Sequence, residues 1–127
     1  MDKLKLKLLK DMYGVCRLNN NSKIPEWGAK GEFSSITRTE DELSIVCLQN
    51  NIPEGIQCEK SWKVFKIEGP LDFSLIGILS AISSLMAEKG ISIFAISTYD
   101  TDYILIKDKD LNKAIEVLSN DKYEIII

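Results

Sequence analysis

One ordered series of elements constrains this chain more than any other feature. Between Trp62 and Ile67, the apolar Trp62, Val64, Phe65 and Ile67 are interleaved with Lys63 and Lys66, which predicts a strand. Gly69-Pro70 stops it, since proline cannot donate to a central ladder. Asp72 is a suitable N-cap for the run Leu75, Ile76, Leu79, Ile82, Leu85 and Met86, whose spacing makes one apolar helix face. Gly90 follows where a C-terminal cap glycine belongs. Ile91 to Ile96 is short, apolar and β-branched, hence a buried strand, and Thr98 to Thr101 reads as a turn. Tyr103 to Ile106 gives a third strand. Leu111, Ala114, Ile115 and Leu118 give a second helix, and Tyr123 to Ile127 a last strand.

Strand, helix, strand, strand, helix, strand within about 65 residues is the split βαβ, or ferredoxin-like, unit. The fold class is therefore α+β, a βαββαβ module over residues 61–127. A second, strand-rich half precedes it over residues 1–60. Lys3 to Leu9 alternates lysine and leucine as a half-exposed strand does, and Met12 to Leu18 reads as its neighbour. Ile24 to Gly28 suggests one helical turn, and Phe33 to Thr37 another strand. Thr39-Glu40-Asp41-Glu42 has the form of a capping box, but Leu43 to Leu48 after it looks like a strand, so one turn followed by a strand is expected.

Among its 127 residues the chain has no histidine, which removes Ser-His and Cys-His nucleophile pairs and any His-bearing zinc site. Catalysis by Asp, Glu, Lys or Cys stays open on composition alone, but no nucleophile, metal cluster or phosphate loop accompanies the acidic residues. The expectation is a non-enzymatic protein without cofactor or metal. With 16 Lys+Arg against 19 Asp+Glu and no basic stripe, nucleic acid is not an expected partner. Phe73 to Ala87 is uncharged but too short to span a membrane, and Met1 to Leu9 lacks the apolar core of a signal peptide, so a cytoplasmic protein is expected. Three cysteines without a CxxC pair read as small core residues; Cys58, beside Glu59 and Lys60, is the candidate if one thiol is reactive.

Two segments carry binding chemistry. Glu68-Gly69-Pro70-Leu71-Asp72 joins a strand to a helix N-terminus, where glycine allows close backbone approach and free amides hold a carboxylate. The plainer reading is that Gly69-Pro70 turns the chain and Asp72 caps the helix. Thr98-Tyr99-Asp100-Thr101-Asp102 offers carboxylates at Asp100 and Asp102, which share a side on extended backbone and suit an ammonium or guanidinium. Tyr99 and Tyr103 add aromatic faces for a cation. A solvated turn is the alternative here. Arg38 is expected to pair at the surface with Glu40 or Glu42.

The string from Trp62 to Leu79 resembles the opening strand, glycine turn and helix of an ACT domain. Gly90-Ile91-Ser92-Ile93-Phe94 with Ser97-Thr98-Tyr99-Asp100-Thr101-Asp102-Tyr103 resembles the central strands of the ACT subgroup of CASTOR-type arginine sensors and small bacterial tandem-ACT relatives. Phe33 to Cys47 resembles the first, degenerate ACT-like half of those bacterial proteins. The resemblance implies a regulatory sensor that binds a small molecule, an amino acid in the typical case, without chemistry. It implies work as a homodimer, since ACT modules pair, and it adds Ser35 and Ile36 to Glu68, Gly69, Pro70, Leu71, Asp72, Thr98, Tyr99, Asp100 and Asp102 as ligand-binding candidates. The alternative is a protein-interaction module that uses an ACT scaffold and binds no ligand.

Overall fold

The computed structural model describes residues 4–68 and 77–127. The chain divides into two compact units: Asp11–Trp62, and the segments Met1–Lys10 and Lys63–Ile127 taken together. The first is an insertion within the second in chain order, and we call them the inserted and the flanking unit.

In the flanking unit, leucines and lysines alternate along β1 (Leu4–Leu8), burying Leu6 fully and leaving Lys5 and Lys7 exposed. The strand β5 (Gln57–Ile67) crosses the boundary and brings its last residues here. It is followed by α1 (Ile78–Glu88), β6 (Ile93–Ser97), β7 (Asp102–Lys107), α2 (Leu111–Asn120) and β8 (Tyr123–Ile126), the βαββαβ order of the ferredoxin-like fold. The strands lie in the order β6-β7-β5-β1-β8. Ile82 and Met86 of α1 and Ala114 and Leu118 of α2 pack on the same buried cluster as Leu6, Phe65, Ile67, Ile104 and Ile106, so both helices cover one sheet face. Helix α1 ends as its glycine predicts: Gly90 takes φ +71, its amide donates to the Ala87 carbonyl, and that of Ile91 to Met86. Asp72, Leu75 and Ile76, expected to cap and open this helix, lie outside the described residues.

The N-terminal strand, which the expected division at residue 60 assigns to the first half, pairs with strands of the flanking unit. Strand β1 runs antiparallel to β5, with Leu6 opposite Ile67, and parallel to β8, with Leu4 opposite Tyr123. Its leucine face is buried in the flanking core and both its edges are satisfied by strands of the second half. It therefore belongs with that half.

The inserted unit has no α-helix among its described residues. Strand β2 (Tyr13–Leu18) pairs with β4 (Leu43–Leu48) on one side and with the first part of β5 on the other, and β3 (Ser35–Arg38) pairs with β4. Short 3-10 turns at Glu26–Ala29 and Gln49–Asn51 connect them. The β2–β5 register slips between Tyr13 and Val15, a bulge at which Ser61 takes φ +69 and its amide donates to the Gln49 Oε1 at 2.6 Å. Gly14 lies opposite this slip, and a Cβ there would sit 2.5 Å from Ile52 Cδ1. Cys16, Leu43, Ile45 and Cys47 form one buried cluster of the unit, with Trp27, Ile36 and Cys58 packed against it, and Tyr13, Phe33, Val46 and Trp62 are buried as well.

Candidate functional site

The segment Thr98 to Asp102 is a hairpin connection whose geometry is set by two threonines. Ser97 pairs with Asp102, and inside that pair the Thr98 amide donates to the Thr101 carbonyl at 2.8 Å. The Thr98 hydroxyl donates to the same carbonyl at 2.9 Å and accepts from the Thr101 amide at 3.3 Å, so a side chain closes what a tight turn would close with backbone. Tyr99 and Asp100 stand exposed at the tip.

Thr101 is the buried polar residue among the described residues, and its hydroxyl donates to the Ile67 carbonyl at 2.6 Å. This bond pins the hairpin to the end of β5. Ile67 precedes Glu68 in the chain and Thr101 sits between Asp100 and Asp102, so two of the predicted segments come side by side. Glu68 is half-buried, and its amide donates to the Lys5 carbonyl at 2.9 Å, which fixes the direction in which the chain leaves the strand. Asp102 is half-buried at the head of β7. Asp100 lies in the turn and not on extended strand, so the alternation expected to put both carboxylates on one side does not apply to it. Gly69, Pro70, Leu71 and Asp72 lie outside the described residues.

Ser35 and Ile36 are half-buried on β3 of the inserted unit. Arg38, at the end of that strand, does not behave as expected. Its guanidinium donates to the backbone carbonyls of Asn20 and Ser22, the latter at 2.8 Å, and braces the Asn19–Ser22 loop. Planar guanidinium forks suit paired backbone carbonyls as well as carboxylates, and sequence proximity to Glu40 and Glu42 concealed that choice.

Sequence reasoning also missed Thr101 itself. Its signal was a β-branched hydroxyl directly before an apolar strand, indistinguishable from a turn residue until the partner carbonyl is known. The cysteines were missed as a group, because their convergence depends on strand register. Cys16 lies opposite Cys58, and Cys47 opposite Gly14, two positions from Cys16. A hydrogen bond to Cys47 and burial hold the Cys16 thiol above its ordinary range.

Residues 57–120 match the ACT domain family, and a separate N-terminal-domain family matches residues 11–55. A crystal structure of an Agrobacterium tumefaciens protein is 40% identical, covers 99% of this chain and 94% of its own, and superposes with a TM-score of 0.92. The ligand-free regulatory subunit of aspartate kinase from Thermus thermophilus shares the fold at a TM-score of 0.60 and 11% identity, over 91% of this chain and 95% of that one. Among curated proteins, the human cytosolic arginine sensor for mTORC1 subunit 1 is 31% identical over 94 residues, which is 68% of this chain and 29% of that protein. The bovine counterpart is 25% identical over 101 residues, 71% of this chain and 31% of its own length. This chain thus spans less than a third of the curated relatives it matches. No helix among the described residues is long and apolar enough to cross a membrane. A family match over residues 57–120, on a ferredoxin-like unit with both helices on one sheet face, identifies the chain as a member of the ACT domain family.

Proposed function

We propose that this chain is a non-catalytic, cytoplasmic regulatory protein that binds an amino acid and works as a homodimer. The reading is supported by the hairpin that Thr101 pins to the end of β5, since that bond joins the segment carrying Asp100 and Asp102 to the strand that Glu68 follows, within an ACT domain. The ligand's α-carboxylate takes the backbone amides of Gly69, Leu71 and Asp72, and its cationic group takes Asp100 and Asp102. Thr98 and Tyr99 form the rim. Ser35 and Ile36, on the inserted unit, are a separate candidate contact with their own test by substitution. Arginine is the first ligand to try. A guanidinium matches the acidic hairpin, and the 31% identical human relative is named an arginine sensor.

A thermal-shift screen against the twenty common amino acids at millimolar concentration tests this. A ligand that binds only the native chain raises its melting temperature, with about 2.7 kcal/mol of stabilisation at roughly a hundredfold excess over Kd. One or a few amino acids are expected to give a shift that Asp102→Ala reduces. If all twenty leave the melting temperature unchanged, the amino-acid reading is wrong.

A further inference from the structure

The three cysteines of this chain, far apart in sequence, form one row on one face of the inserted unit's sheet. Cys16 on the central strand β2 lies directly opposite Cys58 of β5. On its other side Cys16 lies opposite Ile45, and Gly14 opposite Cys47, which puts Cys47 diagonal to Cys16 on the same face. All three are free thiols; Cys16 and Cys47 are buried and Cys58 is half-buried.

We propose that Cys16 and Cys58 are an oxidation site, at which hydrogen peroxide converts the two thiols to a cross-strand disulfide. Directly opposed residues on antiparallel strands have Cα atoms about 4.5–5.5 Å apart. A disulfide requires roughly 4.4–6.8 Å, so the register brings this pair within bridging range. Diagonal neighbours stand about 7–8 Å apart, beyond that range, so Cys47 is not the partner.

Access decides the order of events. Cys58 is the thiol of the row that solvent reaches. Its thiolate attacks one peroxide oxygen, the O–O bond breaks, and the hydroxide released takes a proton to leave as water. The sulfenic acid on Cys58 is then attacked by the Cys16 sulfur. The S–S bond forms, the S–O bond breaks, and the Cys16 proton leaves with the hydroxide as a second water. Two thiols lose two electrons in total, and one peroxide gains them. The bond ties β2 to β5 and closes a loop over most of Asp11–Trp62, so the oxidised inserted unit resists unfolding more than the reduced one.

The test treats the reduced full chain with hydrogen peroxide and counts thiols in denaturant. The count is expected to fall from three to one, with a peptide map showing Cys16 joined to Cys58 and a melting temperature that rises and returns on reduction. Cys47→Ser keeps the linkage, and Cys58→Ser abolishes it. A Cys16–Cys47 linkage in the wild-type map, a disulfide between two chains, or Cys58 driven to sulfinic acid with Cys16 still reduced would each overturn the proposal. The wild-type map decides the question even if a serine variant fails to fold.

Discussion

Each unit contains one hairpin turn headed by a threonine, and the two turns are built alike. In the inserted unit the Thr39 amide donates to the Glu42 carbonyl at 2.9 Å, and the Thr39 hydroxyl accepts from the Asp41 and Glu42 amides at 3.1 and 3.2 Å. In the flanking unit Thr98 makes the equivalent bonds to Thr101. The local chemistry is the same; the anchoring differs. The Thr39 turn is braced from outside by exposed side chains, with Arg17 donating to the Asp41 carbonyl at 2.9 Å and the Asn20 amide to Glu40 at 2.7 Å. The Thr98 turn is held from beneath by a buried hydroxyl on a buried carbonyl. Exposed braces exchange readily with water, whereas a buried one does not. The second turn is therefore the more firmly held of the two.

Removing the buried brace should have the largest effect. Thr101→Val keeps the side-chain shape, strips the Ile67 carbonyl of its donor and should cost about 1–3 kcal/mol, read as a lowered urea midpoint at unchanged slope. A loss of less than about 0.5 kcal/mol would show that the two turns are anchored equally well. The turn threonines come next. Thr98→Ala and Thr39→Ala should each cost about 0.5–1.5 kcal/mol, with Thr98 the costlier because its bonds are partly buried. The reverse order would undo the comparison.

The smallest effect at neutral pH concerns the buried tyrosine of each unit. Burial, with negative charge from Glu32 and Asp11, pushes the Tyr13 phenol up to about 12. Burial and Asp121 move Tyr123 in the same direction. A raised folded pKa means the neutral form is favoured in the native state. That contribution is complete below pH 10 and is lost as pH climbs towards about 12. Stability followed by denaturant titration across that window should fall in the wild type. Tyr13→Phe should flatten the fall more than Tyr123→Phe does.

What was legible in the sequence is what local pattern encodes. The helix face with Ile82 and Met86, the Gly90 cap and the Thr98 turn each depend on residues within one or two turns of chain. The partner of β1 was not legible, because alternation of leucine and lysine announces a strand without naming its neighbours. The same reason hid the cysteine row and the Thr101 bond: both are pairings across strands, fixed by register. At the candidate site, residue types were readable but position was not. Asp100 and Asp102 look equivalent in the sequence, yet one stands at the turn tip and the other heads a strand.

Strand β1 also has a consequence for the order of assembly. Its parallel partner β8 is the last strand of the chain, so their ladder joins residues separated by almost the whole sequence, as in Leu4 with Tyr123. During synthesis β1 is made long before β8 and waits, its edge towards β8 unpaired, until β8 leaves the ribosome. The inserted unit needs nothing after Trp62 to complete its own pairings. Contact order thus predicts an inserted unit that folds early and a β1–β8 ladder that closes last.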